Sequence, residues 1–291
     1  MAEHHQQWGA EALWQDLEPL LPGLSIEVLA RTESTNTTLL ERVRSEHHQR
    51  SSLERNPYGR RAHDLQPCLL VAEHQTHGRG RMGRSWHATP GASLTFSLSL
   101  PLALSDWSGL SLVVGCAVAD ALEPLQPEQA PRLQLKWPND LWLDGRKLGG
   151  VLIETVQAGG QRVAVVGVGL NILAAEARDG ELPSYSTGFA SLSELDAAWT
   201  APLALARIAR PLIEALLAFP QQGFAAWQSI YARRDCLVGR ALTAGTHSGE
   251  ARGVNAQGEL LLQTADGLLP VSSGEVSVRL TGDTGPAAGG R

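Results

Sequence analysis

Cysteine is scarce in this sequence: only Cys68, Cys116 and Cys236 occur among 291 residues. Three scattered thiols exclude a disulfide framework or a zinc ribbon and fit a reducing compartment, so a cytoplasmic protein is expected. Long apolar runs are also lacking. None approaches the roughly 20 residues that a membrane helix needs, and the opening MAEHHQQWGA has no basic stretch leading into an apolar one, so neither a membrane span nor a signal peptide is expected. Positive charge is in deficit, with 24 Lys and Arg against 30 Asp and Glu, a net charge of −6. That balance argues against a nonspecific nucleic-acid binder, while leaving room for a local basic loop. There are no internal repeats. What is present, 43% hydrophobic and 19% charged residues, is ordinary for a globular chain long enough for one large domain or two.

Residues 10 to 21 carry helical spacing at Leu13, Leu17, Leu20 and Leu21. SIEVLARTES reads as a strand entering a turn, and STNTTLLERV as a helix with Ser34, Thr35 and Asn36 as cap candidates. Residues 45 to 67 are polar, bear Arg50, Arg55, Arg60 and Arg61, and lack periodicity; a long mobile loop is expected there. Residues 108 to 125 read as an apolar helix ended by Pro124. The stretch RLQLKWPNDLWLDGRKLGGVLIET alternates at Leu133 and Leu135 and stops at Trp137-Pro138. It alternates again at Leu141 and Leu143, turns at Asp144-Gly145 and begins a further strand at Leu148. VAVVGVGLNI, residues 163 to 172, has the composition of a fully buried strand. Two helices follow, the first with a kink expected at Pro211. From Cys236 onward, short alternating strands separated by AGTHSGE, NAQGE and ADGLL point to a small β-barrel. The expected organisation is a mixed α/β domain over residues 1–235, the small barrel over 236–282, and a compositionally disordered tail over 283–291.

The segment HGRGRMGRSWH, residues 77 to 87, satisfies two phosphate-binding patterns and the context of neither. Both the dinucleotide fingerprint and the P-loop require a helix opening directly after the glycines, whose N–H groups meet the phosphate. The strand CLLVAE precedes the glycines, but WHATPGASLTFSLSL follows them, with a Pro90-Gly91 turn and alternation at Leu94, Phe96, Leu98 and Leu100. That reads as a half-buried strand. The element is therefore strand–loop–strand with Arg79, Arg81 and Arg84 among three glycines. An anion here is gripped by guanidinium forks on a mobile backbone and not by a helix dipole.

Further polar clusters interrupt apolar elements: Ser34-Thr35-Asn36, Gln75 ahead of the glycines, Lys136-Trp137-Pro138-Asn139-Asp140, Lys147 after a tight turn, and Asn171 at a strand end. Taken singly, each has a plain structural reading as a helix cap, turn chemistry after proline, or a lysine extending from a strand. His74 and His77 lack a third ligand nearby and read as polar loop residues. Taken together, the order STN, AEHQTHGRGRMGRSW, LKWPNDLWLDGRKLGGVLIE, VGVGLNI resembles the biotin protein ligases over about Thr32 to Asn171, and the C-terminal barrel is similar too.

The resemblance implies an α/β (α+β) mixed-sheet catalytic domain of the biotin/lipoate ligase type, followed by a small SH3-like β-barrel. It implies an enzyme that uses ATP and Mg²⁺ to activate biotin as biotinyl-5′-AMP and transfers it to a lysine of a biotin carboxyl carrier protein domain, such as that of acetyl-CoA carboxylase. By the same resemblance, Ser34, Thr35, Asn36 and Gln75 line the biotin pocket, and Arg79, Gly80 and Arg81 fold over biotin and the adenylate. Lys147 contacts the biotin carboxylate and the reacting phosphate. Trp86, Asn139 and Asn171 lie on the ATP side with Arg79, Arg81 and Lys147. Asp140 serves either the acceptor lysine or Mg²⁺, and Phe189 in GFASL is the candidate for covering adenine. Lys147, Arg81 and Asp140 are the catalytic candidates.

Some features depart from the family pattern. Met82 stands where the family often has an arginine, and residues 45 to 67 are longer than the usual connector. Only 33 residues precede Ser34, too few for the winged helix-turn-helix of members that repress transcription, so a monofunctional ligase without a DNA partner is expected. A homodimer is left open. Two alternatives stand beside this reading. A lipoate–protein ligase shares the acyl-adenylate logic, but lipoate lacks the ureido ring that Ser34, Thr35 and Gln75 would address. A biotin-sensing, DNA-binding regulator is opposed by the net charge.

Overall fold

The computed structural model describes residues 6–53, 65–104, 106–158, 160–174, 188–273 and 278–280. In chain order the first elements are α1 (Ala10–Leu17), β1 (Ser25–Leu29), α2 (Thr35–Leu53), β2 (Cys68–Ala72), β3 (Gly78–Arg79), β4 (Ser85–Trp86), β5 (Ser93–Pro101) and α3 (Leu110–Leu122). They continue with β6 (Leu133–Lys136), β7 (Asp140–Leu143), β8 (Arg146–Ala158), β9 (Gln161–Asn171), α4 (Ala201–Gln222) and α5 (Gln228–Arg234). The last five strands are β10 (Ala241–Ala244), β11 (His247–Val254), β12 (Leu260–Thr264), β13 (Gly267–Val271) and β14 (Val278–Leu280).

Seven strands form one mixed sheet in the order β1-β2-β5-β9-β8-β7-β6, with β1 parallel to β2 and every other pair antiparallel. Side chains alternate across it with period two. Leu69, Val71, Ala164 and Val166 enter a large core with α3 and α4, while Leu70, Val163 and Val165 enter a smaller one with Leu39, Leu40 and Val43 of α2. Helices on both faces account for the wholly apolar runs of β2 and β9. They also correct the expectation for β5, which is buried from Ser93 through Leu100 and not on one face alone. Its apolar residues meet the large core, while Ser93, Thr95, Ser97 and Ser99 lie buried on the opposite face.

Two other expectations change. Residues 45 to 53 continue α2 and do not open a loop. Apolar periodicity reports a buried face, not helical hydrogen bonding itself, and no Gly or Pro interrupts the sequence from Thr35 until Pro57. The rest of that arginine-bearing stretch, residues 54 to 64, lies outside the described residues, as does the tail from 281. The second change is that β8 begins at Arg146, two residues early. Asp144 and Gly145 both adopt positive φ (49° and 76°), the geometry that joins β7 to β8 by a two-residue turn. Helix α4 runs through Pro211 as one element.

The C-terminal strands form a five-stranded antiparallel sheet, β13-β12-β11-β10-β14. No gap in packing separates it from the larger sheet. Leu242, Ala251, Leu260 and Leu262 belong to the same core as α3 and β6, and the Trp137 indole N–H donates to the Gly258 carbonyl at 3.0 Å. Gly109 and Gly258 permit this close approach, since a Cβ on Gly258 would stand 2.7 Å from Gly109 Cα. Nearby, the wholly buried Arg234 donates to the carbonyls of Leu133 (2.8 Å) and Glu123, and pairs with Asp120, fastening α5 to the end of α3. Cys68, Cys116 and Cys236 are free thiols.

Asp235 follows Arg234 at this junction. Its Oδ1 accepts from the Leu237 N–H at 2.8 Å, and its Oδ2 is buried without a partner among the described residues. Burial pushes this carboxyl up to about 6 from 3.8. The folded state therefore holds a proton that the unfolded state releases, and stability falls as pH rises between those values, the full penalty being present above about 6. Asp235→Asn, which removes the charge, is expected to gain stability relative to wild type on going from about pH 4 to about pH 7. Urea midpoints across that range check this, and a pH-independent difference contradicts it.

Candidate active site

A single cavity of about 870 Å³ opens over strands β5, β9 and β8, at the N-terminus of α2. Its floor is polar and buried. Ser34, Thr35 and Asn36 begin α2, whose end is partly capped by Ser34: its Oγ accepts from the Thr37 N–H at 3.5 Å and its carbonyl from the Thr38 N–H at 2.9 Å. The cluster thus caps the helix and also lines the cavity. The Gln75 side-chain oxygen Oε1 accepts from the Thr35 N–H (2.7 Å) and hydroxyl (3.1 Å). Ser97 Oγ lies 2.6 Å from both Thr35 Oγ1 and Asn36 Oδ1. Asn36 Nδ2 donates to the Leu152 carbonyl (3.2 Å) and Glu154 Oε2 (3.0 Å). Such a network holds its members in one orientation, because a buried polar group left unpaired is costly.

Above this floor, Gly78–Arg79 and Ser85–Trp86 pair as a short hairpin, a pairing not expected from the sequence, within the loop that was read between β2 and β5; no helix follows. The Gly80 N–H donates to the Arg84 carbonyl at 2.7 Å, and Met82 and Gly83 make the tip with φ of 56° and 71°. Two glycines of β9 set how closely other groups approach the sheet. A Cβ on Gly167 would stand 2.2 Å from Asn36 Oδ1, and one on Gly169 would stand 2.6 Å from the Trp86 ring. The hairpin arginines diverge. Arg79 pairs with Glu154 on β8 (Nη2 to Oε1, 2.9 Å). Arg81 is half-buried and donates to Asn139 Oδ1 at 3.3 Å and to the Ser273 carbonyl. Burial lowers its pKa, the Asp140 carboxylate opposes that shift, and Arg84 adds to it.

The remaining wall comes from β6, β7 and β8. A cis peptide joins Trp137 to Pro138, after which Asn139 exchanges hydrogen bonds with Val151: its Nδ2 donates to the Val151 carbonyl at 2.8 Å, and its own carbonyl accepts from the Val151 N–H at 2.9 Å. Lys147 Nζ donates to Asp140 Oδ1 at 2.8 Å, both side chains being largely shielded. The main chain of Lys147 pairs with residues 188–190, which brings Phe189 into the cavity wall, and Asn171 Nδ2 donates to the Ala190 carbonyl at 3.1 Å. Arg146 pairs with Glu194, and that contact holds the Glu194 carboxyl below its ordinary range.

Every residue to which the resemblance assigned a site role, from Ser34 to Asn171 and including Phe189, lines this one cavity. Several that line it were missed. Ser93 and Thr95 were legible as the polar half of an alternating strand, as was Ser97, which lies beneath the lining and hydrogen-bonds to Thr35 and Asn36, and Gly167 and Gly169 as a Gly-x-Gly within an apolar one. Lys136 was read only as part of a motif; its ammonium stands 4.4 Å from the Trp142 ring centre. Val278 and Arg279 reach the cavity from the C-terminal sheet, and no local sequence signal announced them. Among the described residues no cluster of three His, Cys, Asp or Glu could hold a metal ion, and no helix is long and apolar enough to cross a membrane.

Comparison with known proteins defines the class. Residues 28–171 match the biotin/lipoate A/B protein ligase family, and residues 240–279 match the biotin protein ligase C terminal domain. The chain is 33% identical over 266 residues to the bifunctional ligase/repressor BirA of Escherichia coli, covering 89% of this chain and 75% of that protein. It is 33% identical over 266 residues to the biotin--[acetyl-CoA-carboxylase] ligase of Mycobacterium tuberculosis, covering 86% of this chain and 88% of that one. Its fold matches a biotin protein ligase from Aquifex aeolicus, solved in complex with biotin and ATP, with a TM-score of 0.67 at 25% identity over 88% of this chain and 99% of that one. The chain belongs to the biotin protein ligase family.

The close approach at Gly169 is testable without a ligand. Gly169→Ala is expected to push Trp86 off the sheet and to cost roughly 1–3 kcal/mol of stability by overpacking. The change is read as a lowered denaturation midpoint together with altered Trp fluorescence, the spectral change vanishing in a Trp86→Phe background. An unchanged spectrum and midpoint contradict the contact.

Proposed function

We infer that this protein activates biotin with ATP and transfers it to a lysine of a biotin carboxyl carrier protein domain. The observation that carries the reading is one cavity in which the buried polar floor at Ser34, Thr35, Asn36 and Gln75, held from beneath by Ser97, adjoins a wall bearing Lys147, Arg81 and Lys136. A ring of hydrogen-bonding groups suits the ureido head of biotin, and the cationic wall suits its carboxylate and the ATP phosphates. In the first step a biotin carboxylate oxygen attacks the α-phosphorus of ATP, and the bond to pyrophosphate breaks. Two anions must meet, and Lys147 offsets their repulsion from a shielded position where a fixed charge counts for more than in water. Its pairing with Asp140 holds the ammonium in place before ligand arrives.

Mg²⁺ is implied by the use of ATP. Of the two carboxylates that line the cavity, Glu194 is paired with Arg146, which leaves Asp140 as the candidate; that fits an ion held mainly by phosphates and water, and such an ion would neutralise phosphate charge. Asn139, Asn171, Trp86 and Phe189 serve the nucleotide side in this reading. In the second step the carrier amine attacks the acyl carbon of the mixed anhydride, AMP leaves with the bonding electrons, and a proton leaves the nitrogen. Asp140 is the nearest carboxylate to Lys147 and is suited to orient or deprotonate that amine. Between the steps the adenylate must be kept from water, a task suited to the hairpin that carries Arg81.

Two outcomes check this reading. Lys147→Ala is expected to lower biotin-dependent ATP–pyrophosphate exchange by about 10²–10³-fold while leaving the fold intact; exchange at the wild-type rate removes Lys147 from the chemistry. Arg81→Gly is expected to shorten adenylate residence by about ten- to a hundredfold and to label lysines of bystander proteins. Retention equal to wild type contradicts the part given to Arg81.

A further inference from the structure

The pair between Arg79 and Glu154 stands outside the reaction just described. Glu154 lies on β8, and its carboxylate serves two elements at once. Oε1 accepts from Arg79 Nη2 at 2.9 Å, while Oε2 accepts from Arg79 Nη1 at 3.3 Å and from Asn36 Nδ2 at 3.0 Å. Arg79 Nη1 also donates to Thr37 Oγ1 at 3.4 Å. One carboxylate therefore ties the root of the hairpin to the start of α2, where Asn36 belongs to the polar floor. The side chains of Arg79 and Glu154 are 47% and 23% exposed; Arg79 lines the cavity edge while Glu154 is not among the lining residues, so the pair sits at the rim. Arg81, two residues on, reaches the opposite way, to Asn139.

A hairpin with two-residue strands has little stability of its own and needs an external fixing point. A guanidinium held bidentately by a fixed carboxylate supplies direction as well as charge, and its own charge is largely spoken for. Resting on the biotin-ligase reading above, we propose that Glu154 is a positioning residue that fixes the hairpin over the cavity through Arg79, and that the Arg79 side chain is the anchor of this flap and not a ligand contact. Retention of the adenylate then depends on Glu154, a residue that touches no substrate, while the phosphoryl-transfer step does not.

The test separates this proposal from the reading beneath it. Biotin-dependent ATP–pyrophosphate exchange by the wild type comes first, and its absence would defeat the biotin-ligase reading itself. Given exchange, Glu154→Gln is expected to raise the biotin KM and the adenylate dissociation rate about five- to tenfold. The kcat for exchange should stay within about twofold, since the donors at the phosphate are untouched. Arg79→Met is expected to raise the adenylate dissociation rate by the same factor, and the double variant to be no worse than either single change, because both remove one interaction. Wild-type retention in Glu154→Gln overturns the proposal. So does an Arg79→Met loss well beyond that of Glu154→Gln with additive effects in the double variant, which would make Arg79 a ligand contact. Should Glu154→Gln fail to fold, Arg79→Met, changed at a half-exposed side chain, decides alone: unchanged retention overturns the anchor.

Discussion

Two close approaches to strand β9 determine the shape of the site. Asn36 can reach the sheet only because residue 167 has no side chain, and Trp86 only because residue 169 has none. The first approach lets the α2 N-terminus interlock with Ser97 and Gln75 as a buried polar floor, and the second lets the hairpin lie down over it. Replacing either hydrogen with a methyl group would leave the surrounding elements intact and separate the parts that make the cavity. Stability and function therefore meet on one strand: its apolar residues join the two cores, and its glycines admit the site.

Charge is distributed unevenly to the same end. The chain as a whole carries −6, yet the cavity is lined by Arg79, Arg81, Arg84, Lys136, Arg146, Lys147 and Arg279 against the carboxylates of Asp140 and Glu194. A pocket with an excess of cations within an acidic molecule concentrates anionic ligands. Inside it the cations are held by fixed partners, Lys147 by Asp140, Arg146 by Glu194 and Arg81 by Asn139 and the Ser273 carbonyl. Such pre-set positions need no reorganisation when charge develops on a phosphate. The Ser273 contact and the presence of Val278 and Arg279 in the wall make the C-terminal sheet part of the same enclosure.

Much of this was legible in the sequence wherever one residue type has one physical use. Alternation gave β6 and β7, apolar composition gave β9, the Asp144-Gly145 turn gave the β7–β8 connection, and the absence of a helix after HGRGRMGRSWH correctly set aside both phosphate-loop patterns. Candidates spread from Ser34 to Asn171 converge because the order of motifs, unlike any one of them, is specific. Long-range contacts were not legible. The polar face of β5 looked solvent-facing because periodicity cannot say what covers a strand. Residues 45 to 53 looked like a loop because their sequence carries no apolar stripe, and helical hydrogen bonding does not require one. Glu154 gave no local signal at all, since its partners lie 75 and 118 residues away in sequence.

The joining of an acyl-activating cavity to transfer onto a protein amine is the centre of this account. The most direct measurement is the intact mass of a biotin carboxyl carrier protein domain incubated with this protein, biotin, ATP and Mg²⁺. The account predicts the gain of one biotinyl group on a single carrier lysine, dependent on ATP and accompanied by release of pyrophosphate and AMP. No mass gain under these conditions, or a gain with lipoate and none with biotin, would contradict it.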